Sequence, residues 1–217
     1  MLIPAGGPIL GGMHASPPRL GSILLTNRAS ALAAVLVVIA TAFLIDPRVS
    51  EWVAHVKNPA LDALVSAINP IGSGLTPLAM CAVLALVCRA LGHARACRAG
   101  WTGAVTFAAA GLIEFGVKYM VGRPRPAAAA ALFPLELDSF PSGHATSVFA
   151  VATVLGSFYP ALRWPLYGLA GAIALGRVYL ARHYPSDVVA GALIGLVIAS
   201  VILRHRGDAV VSTESSS

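Results

Sequence analysis

The sequence predicts an all-α membrane protein, with six transmembrane helices in a bundle and an active site at the ends of helices 3 to 6. Three observations carry that expectation. Of 217 residues, 57% are hydrophobic and 11% charged, with a mean hydropathy of +0.79, far from the quarter of charged residues usual in soluble domains. Apolar segments recur at 29–45, 74–91, 101–121, 145–162, 164–181 and 186–203, each close to the ~20 residues an α-helix needs to cross ~30 Å of hydrocarbon. The basic residues are scattered between these segments and form no run, the pattern of loops facing an anionic leaflet, which excludes nucleic acid as a partner.

Residues 1–28 are rich in Gly and Pro and read as a flexible segment. Helix 1 follows Arg28; it is long for the apolar core of a signal peptide and no A-x-A site follows, so it reads as retained. EWVAHVKNPALDALVSAIN, between helices 1 and 2, varies near the helical period and predicts a short helix lying in the interface. Helix 2 carries Cys81 and Cys88, with Cys97 beyond it among arginines; an odd number without a C-x-x-C pair reads as free thiols, neither a disulfide framework nor a zinc site. Helix 3 holds Glu114 one turn before Lys118, in the favourable Glu-to-Lys spacing. An intramembrane acid faces the bundle and has a partner, so Glu114 is expected to align Lys118. Helix 3 then ends in KYMVGRPRP. Helix 4 starts behind Pro141-Ser142-Gly143-His144, and helices 5 and 6 meet in GRVYLARHYPSD. The tail, 204–217, is polar and reads as disordered, which leaves 29–203 as the six-helix domain.

Orientation follows from the charges. Arg19, Arg28, Arg89, Arg95, Arg98, Arg163, Arg204 and Arg206 all fall on one side of a six-helix plan, which should be cytoplasmic together with both termini. Lys118, Arg123, Arg125, Arg177 and Arg182 fall on the other side, against the positive-inside trend, and so need another role. Helix parity gathers Lys118, Arg125, His144, Arg177, His183 and Asp187 on that outer face of the cytoplasmic membrane.

Two histidines, an aspartate and fixed cations suit a phosphoryl group. Lys118, Arg125 and Arg177 would neutralise its oxygens and hold the charge of an in-line transition state. Gly143 lets the backbone of Ser142 to His144 approach the phosphate at a helix start, where free N–H groups favour an anion. His183 is the nucleophile; Asp187, four residues on, accepts one ring N–H and leaves the other nitrogen free to attack. His144 is the general acid for the departing oxygen. Alone, Lys118 would be a snorkelling lysine and Pro141-Ser142-Gly143 a turn and cap; their combination makes the site.

The three segments, in this order and spacing, resemble the K-x6-R-P, P-S-G-H and S-R-x5-H-x3-D signature of the type-2 phosphatidic acid phosphatase superfamily. The motifs run from 118 to 187, with the helical plan extending the likeness over 29–203. The resemblance implies a phosphatase that works without metal or other cofactor through a phosphohistidine, with His183 as nucleophile, Asp187 as its partner, His144 as acid, and Lys118, Arg125, Ser142, Gly143 and Arg177 around the phosphate. One position departs: Gly176 stands where the motif has serine. By analogy the substrate is a lipid phosphate or diphosphate, a polyprenyl diphosphate first, then phosphatidic acid or phosphatidylglycerophosphate. A phosphate or organic-anion transporter is the alternative, since intramembrane cations also mark substrate pathways. The sequence carries no signal for oligomeric state.

Overall fold

The computed structural model describes the backbone of residues 20–126 and 138–214, and the side chains of Ser30, 33–126 and 138–206. Seven α-helices follow one another: α1 Leu20–His55, α2 Pro59–Ile68, α3 Thr76–Ala90, α4 Ala94–Val121, α5 Gly143–Phe158, α6 Arg163–Tyr179 and α7 Pro185–Glu214, with no strand among the described residues. Packing divides the chain into Met1–Val38 and Ile39–Ser217. The first unit holds the opening turns of α1; the second holds every site residue named above.

Among the described residues three helices are long and apolar enough to cross a membrane: Ala33–His55, Ala94–Val121 and Pro185–Arg206. Pro59–Gly72 with Thr76–Ala90, bent by 58°, makes a fourth if the pair acts as one broken span. The expected six are not reached on this criterion. Helices α5 and α6 have 16 and 17 residues, which at ~1.5 Å per residue falls short of ~30 Å of hydrocarbon.

The segment expected as an interfacial helix divides. Glu51–His55 completes α1, and only Pro59–Ile68 stands apart as α2. Asn58 starts that helix, its Oδ1 accepting the Leu61 N–H at 2.9 Å, with Pro59 at the first position, where no N–H is needed. Helix also extends into both end segments expected to be loose. Backbone is helical from Leu20 and to Glu214, and Arg206 donates to Thr102 Oγ1 at 2.6 Å. Residues 1–19 and 215–217 lie outside the described residues. Cys81, Cys88 and Cys97 are free thiols.

Helix α5 packs on α4, α6 and α7. Its core contacts are small residues, Ala145, Ala152, Ala170 and Ala174 with Val148, Val178 and Ile173, as expected where helices associate by close approach in a lipid-like solvent. Gly191 and Gly195 let α7 press against α5, because a Cβ at either would run into the carbonyl oxygens of Ser142 and Thr146. The starts of α5 and α7 are thereby held side by side. Ser142 N–H donates to the Asp187 carbonyl at 2.9 Å across the join.

Candidate active site

Local chain signals deliver the side chains to one place. Helix α4 stops at Gly122, whose φ of 57° is the left-handed cap that glycine adopts without strain, its N–H returning to the Lys118 carbonyl. That leaves Lys118 in the last turn, with Arg123 and Arg125 just beyond. Arg177 lies in the last turn of α6. Its carbonyl accepts the N–H groups of Arg182 at 3.0 Å and His183 at 3.3 Å, so the turn carrying His183 closes back on Arg177.

A cavity of about 300 Å³ opens among these elements, lined by Lys118, Arg125, Gly143, His144, Arg177 and His183 together with Glu114. Two buried nitrogens of its lining residues, His144 Nε2 and Arg177 Nε, lack hydrogen-bond partners among the described residues. Unsatisfied buried polar atoms are rare outside working sites. Ser142 and Asp187, the other residues expected here, are fully buried and do not line the cavity. The Ser142 hydroxyl faces the N–H of Ala145 as the cap of α5.

Glycine positions explain two features of the motifs. A Cβ on Gly143 would stand 3.0 Å from Glu114 Oε1; the glycine makes room for the carboxylate that pairs with Lys118 Nζ at 2.7 Å. A Cβ on Gly176 would stand 3.0 Å from Val65 Cγ1. The position where the motif has serine therefore faces α2, and glycine admits the close packing of Val65.

His183 is 3% exposed. Its Nδ1 lies 2.7 Å from the carbonyl oxygen of Ser139 and 3.7 Å from Asp187 Oδ2. The expected ring-to-carboxylate hydrogen bond is thus replaced: the backbone carbonyl accepts the Nδ1–H hydrogen bond and Asp187 acts one step removed. Ser139 Oγ donates to Asp187 Oδ2 at 2.6 Å, and the Tyr184 N–H donates to the same oxygen at 2.8 Å. Burial pushes the His183 pKa down, against the opposing pull of Asp187 and Ser139.

Four further side chains complete the site. Arg123 Nη1 donates to Asp187 Oδ1 at 2.7 Å and to Ser186 Oγ at 2.6 Å, while Nη2 donates to Asp46 Oδ2 at 2.7 Å. Its guanidinium lies against the rings of Tyr184 and Phe43, at 3.9 and 4.8 Å. Asp46, 2% exposed on α1, also accepts the Ser186 N–H at 3.0 Å. Arg123 and Asp46 thus fix Asp187 from behind and do not line the cavity. Asn69 Oδ1 accepts from Arg177 Nη1 at 2.8 Å. Asp138 takes both nitrogens of the Arg125 fork, Nε at 2.8 Å and Nη2 at 2.9 Å. The one available sequence signal was Arg123-Pro124, two residues before Arg125-Pro126.

Known proteins resemble this chain in sequence and in fold. The model of a family described as the PAP2 superfamily matches residues 99–210, just over half of the chain. A lipid A 1-phosphatase of Rhizobium etli is 32% identical over 114 residues, covering 47% of this chain and 49% of the relative. The decaprenylphosphoryl-5-phosphoribose phosphatase of Mycobacterium tuberculosis is 36% identical over 89 residues, 40% of this chain and 49% of that one. These matches span about half the length of each relative. A crystal structure of a transmembrane phosphatidylglycerolphosphate phosphatase from Bacillus subtilis superposes with a TM-score of 0.66 at 21% identity, over 83% of this chain and 96% of that one, which shows the shared fold.

Proposed function

This chain belongs to the PAP2 superfamily, and from that premise we propose that it is a membrane phosphatase that removes the terminal phosphate from a lipid phosphate or diphosphate through a phosphohistidine on His183. One observation carries the reading. A histidine whose Nδ1 proton is held by a carbonyl, and a second whose Nε2 is unpartnered, line one cavity with three cations.

With Nδ1–H donated to Ser139, the free lone pair of His183 is on Nε2. That nitrogen attacks phosphorus in line, and the bond from phosphorus to the leaving oxygen breaks. His144 gives the leaving oxygen a proton, then takes one from the water that cleaves the phosphohistidine. Lys118, Arg125 and Arg177 hold the charge on the non-bridging oxygens throughout. Asp187 fixes Ser139, and through it the ring of His183.

In the bilayer, α1, the bent pair, α4, α5, α6 and α7 serve as six crossings. The short α5 is sheltered by α4, α6 and α7, and the site faces outward from the cytoplasmic membrane. A head group at that face reaches the cations while its tails remain in hydrocarbon. The named relatives act on lipid-linked phosphates, which supports a lipid substrate here; a polyprenyl diphosphate leads the candidates.

The test is release of inorganic phosphate from lipid monophosphates and polyprenyl diphosphates by the purified chain in detergent with EDTA present. Turnover is expected for at least one class, since the fixed cations supply the charge that Mg²⁺ commonly provides. A chain that hydrolyses none of them, yet carries phosphate into vesicles, is a transporter.

The pH profile follows from His183. Its neutral form attacks, and burial lowers its pKa, so the acid limb of kcat/KM lies below the ordinary imidazole value of ~6.5. Two substrates with different phosphate pKa values separate the enzyme's limb from their own. A shared limb centred above ~6.5 contradicts a buried, neutral nucleophile.

A further inference from the structure

Two carboxylates pair with cations of the cavity, Glu114 from its lining and Asp138 from just outside it, and they differ in accessibility. Glu114, its side chain 12% exposed, pairs with Lys118 at 2.7 Å; Asp138, its side chain 46% exposed, grips the Arg125 fork and reaches 4.0 Å from Lys118. Asp138 presents two oxygens to Nε and Nη2 of Arg125, the same planar, two-point arrangement by which arginine binds two oxygens of a phosphate. It therefore sits where a ligand of Arg125 would sit. The Arg125 hydrogen bonds hold the Asp138 carboxyl below the usual carboxylate range, so it stays ionised at neutral pH and only another anion displaces it.

Charge decides which anion does so. A phosphodiester head group carries one negative charge, as does Asp138, whereas a terminal phosphoryl group carries nearly two. Exchange of Asp138 for a diester gains little Coulomb energy at Lys118, Arg125 and Arg177; exchange for a dianion gains a second unit of charge against all three. The distinction matters at a membrane surface, where diester lipids form the matrix and a cationic cavity would otherwise fill with them.

We propose that Asp138 is a specificity-determining residue, an internal carboxylate that occupies the Arg125 fork until a dianionic terminal phosphoryl group displaces it, and that thereby excludes monoanionic phosphodiester lipids. The proposal rests on the cavity being the phosphate site of a phosphatase.

Short-chain phosphatidic acid as substrate and short-chain phosphatidylglycerol as competitor test it on the full chain in non-ionic detergent. Diacylglycerol of the same chain length, which carries no phosphate, serves as the control for tail binding. In the wild type, Ki for the diester is expected to exceed KM for the monoester. Asp138→Asn and Asp138→Ser should each lower the ratio Ki/KM about two- to fivefold, the scale of one partly exposed ion pair, with inhibition by diacylglycerol unaffected; Asp138→Glu restores the wild-type ratio. If both neutral variants instead raise KM and Ki together, Asp138 is an aligner of Arg125 and the idea is wrong; an unchanged ratio makes it a bystander. A wild type that releases no phosphate overturns the phosphatase reading and this one with it, and is seen before any variant is compared.

Discussion

His183→Ala is expected to lower kcat/KM on every substrate by on the order of 10⁴-fold or more, the scale of loss when a catalytic nucleophile is removed, and to abolish any acid-labile phosphoenzyme. Three features give this variant its effect. His183 is buried, 3% exposed, and its Nδ1 is committed to the Ser139 carbonyl at 2.7 Å, which fixes the ring with Nε2 as its free nitrogen, and alanine removes that nitrogen outright. Lys118, Arg125 and Arg177 all remain on the cavity wall, so affinity for inorganic phosphate should survive within a few-fold. Binding retained with chemistry lost separates a missing nucleophile from a collapsed site. Recovery of a phosphoenzyme from the alanine variant would falsify the assignment of His183.

The reach of sequence reasoning can be read from the same residues. Apolar composition and the Gly and Pro signals at helix ends were enough to find the helices and bring Lys118, His144, Arg177 and His183 to one cavity, because those side chains lie within a turn or two of a helix boundary and helix ends are marked locally. Three kinds of feature left no local mark. The acceptor for His183 is a main-chain oxygen, which any residue at 139 would supply, so spacing pointed to the Asp187 carboxylate instead. Asp46 lies on α1 and meets Ser186 and Arg123 only after the chain has folded, a pairing that no window of the sequence contains. Asp138 carries the chemistry of an ordinary surface acid, and only its two-point grip on Arg125 gives it a role. The count of crossings was blurred for a related reason. The apolar segments at 145–162 and 164–181 run on into the turns beside α5 and α6, so they read as longer than the helices of 16 and 17 residues that form there.

His144→Ala is expected to separate two classes of substrate. His144 lines the same cavity as the nucleophile, with a buried Nε2 that has no partner among the described residues, the placement of a group reserved for substrate. A positioned general acid contributes ~10²- to 10⁴-fold, most where the leaving group is most basic. A lipid monophosphate expels an alkoxide, which leaves badly without a proton; a polyprenyl diphosphate expels a phosphate, a far weaker base that departs with little help. The alanine variant should therefore lose kcat/KM towards monophosphates by the full ~10²- to 10⁴-fold, and towards diphosphates by at least tenfold less. Comparison through kcat/KM is required, because hydrolysis of the phosphohistidine is common to both classes and limits kcat for whichever substrate reaches it fastest. The phosphohistidine should also accumulate in this variant when diphosphate is the substrate, since the same imidazole activates water for the second step. Equal losses on both classes, without accumulation, would make His144 a ligand of the phosphate and leave the proton to come from water.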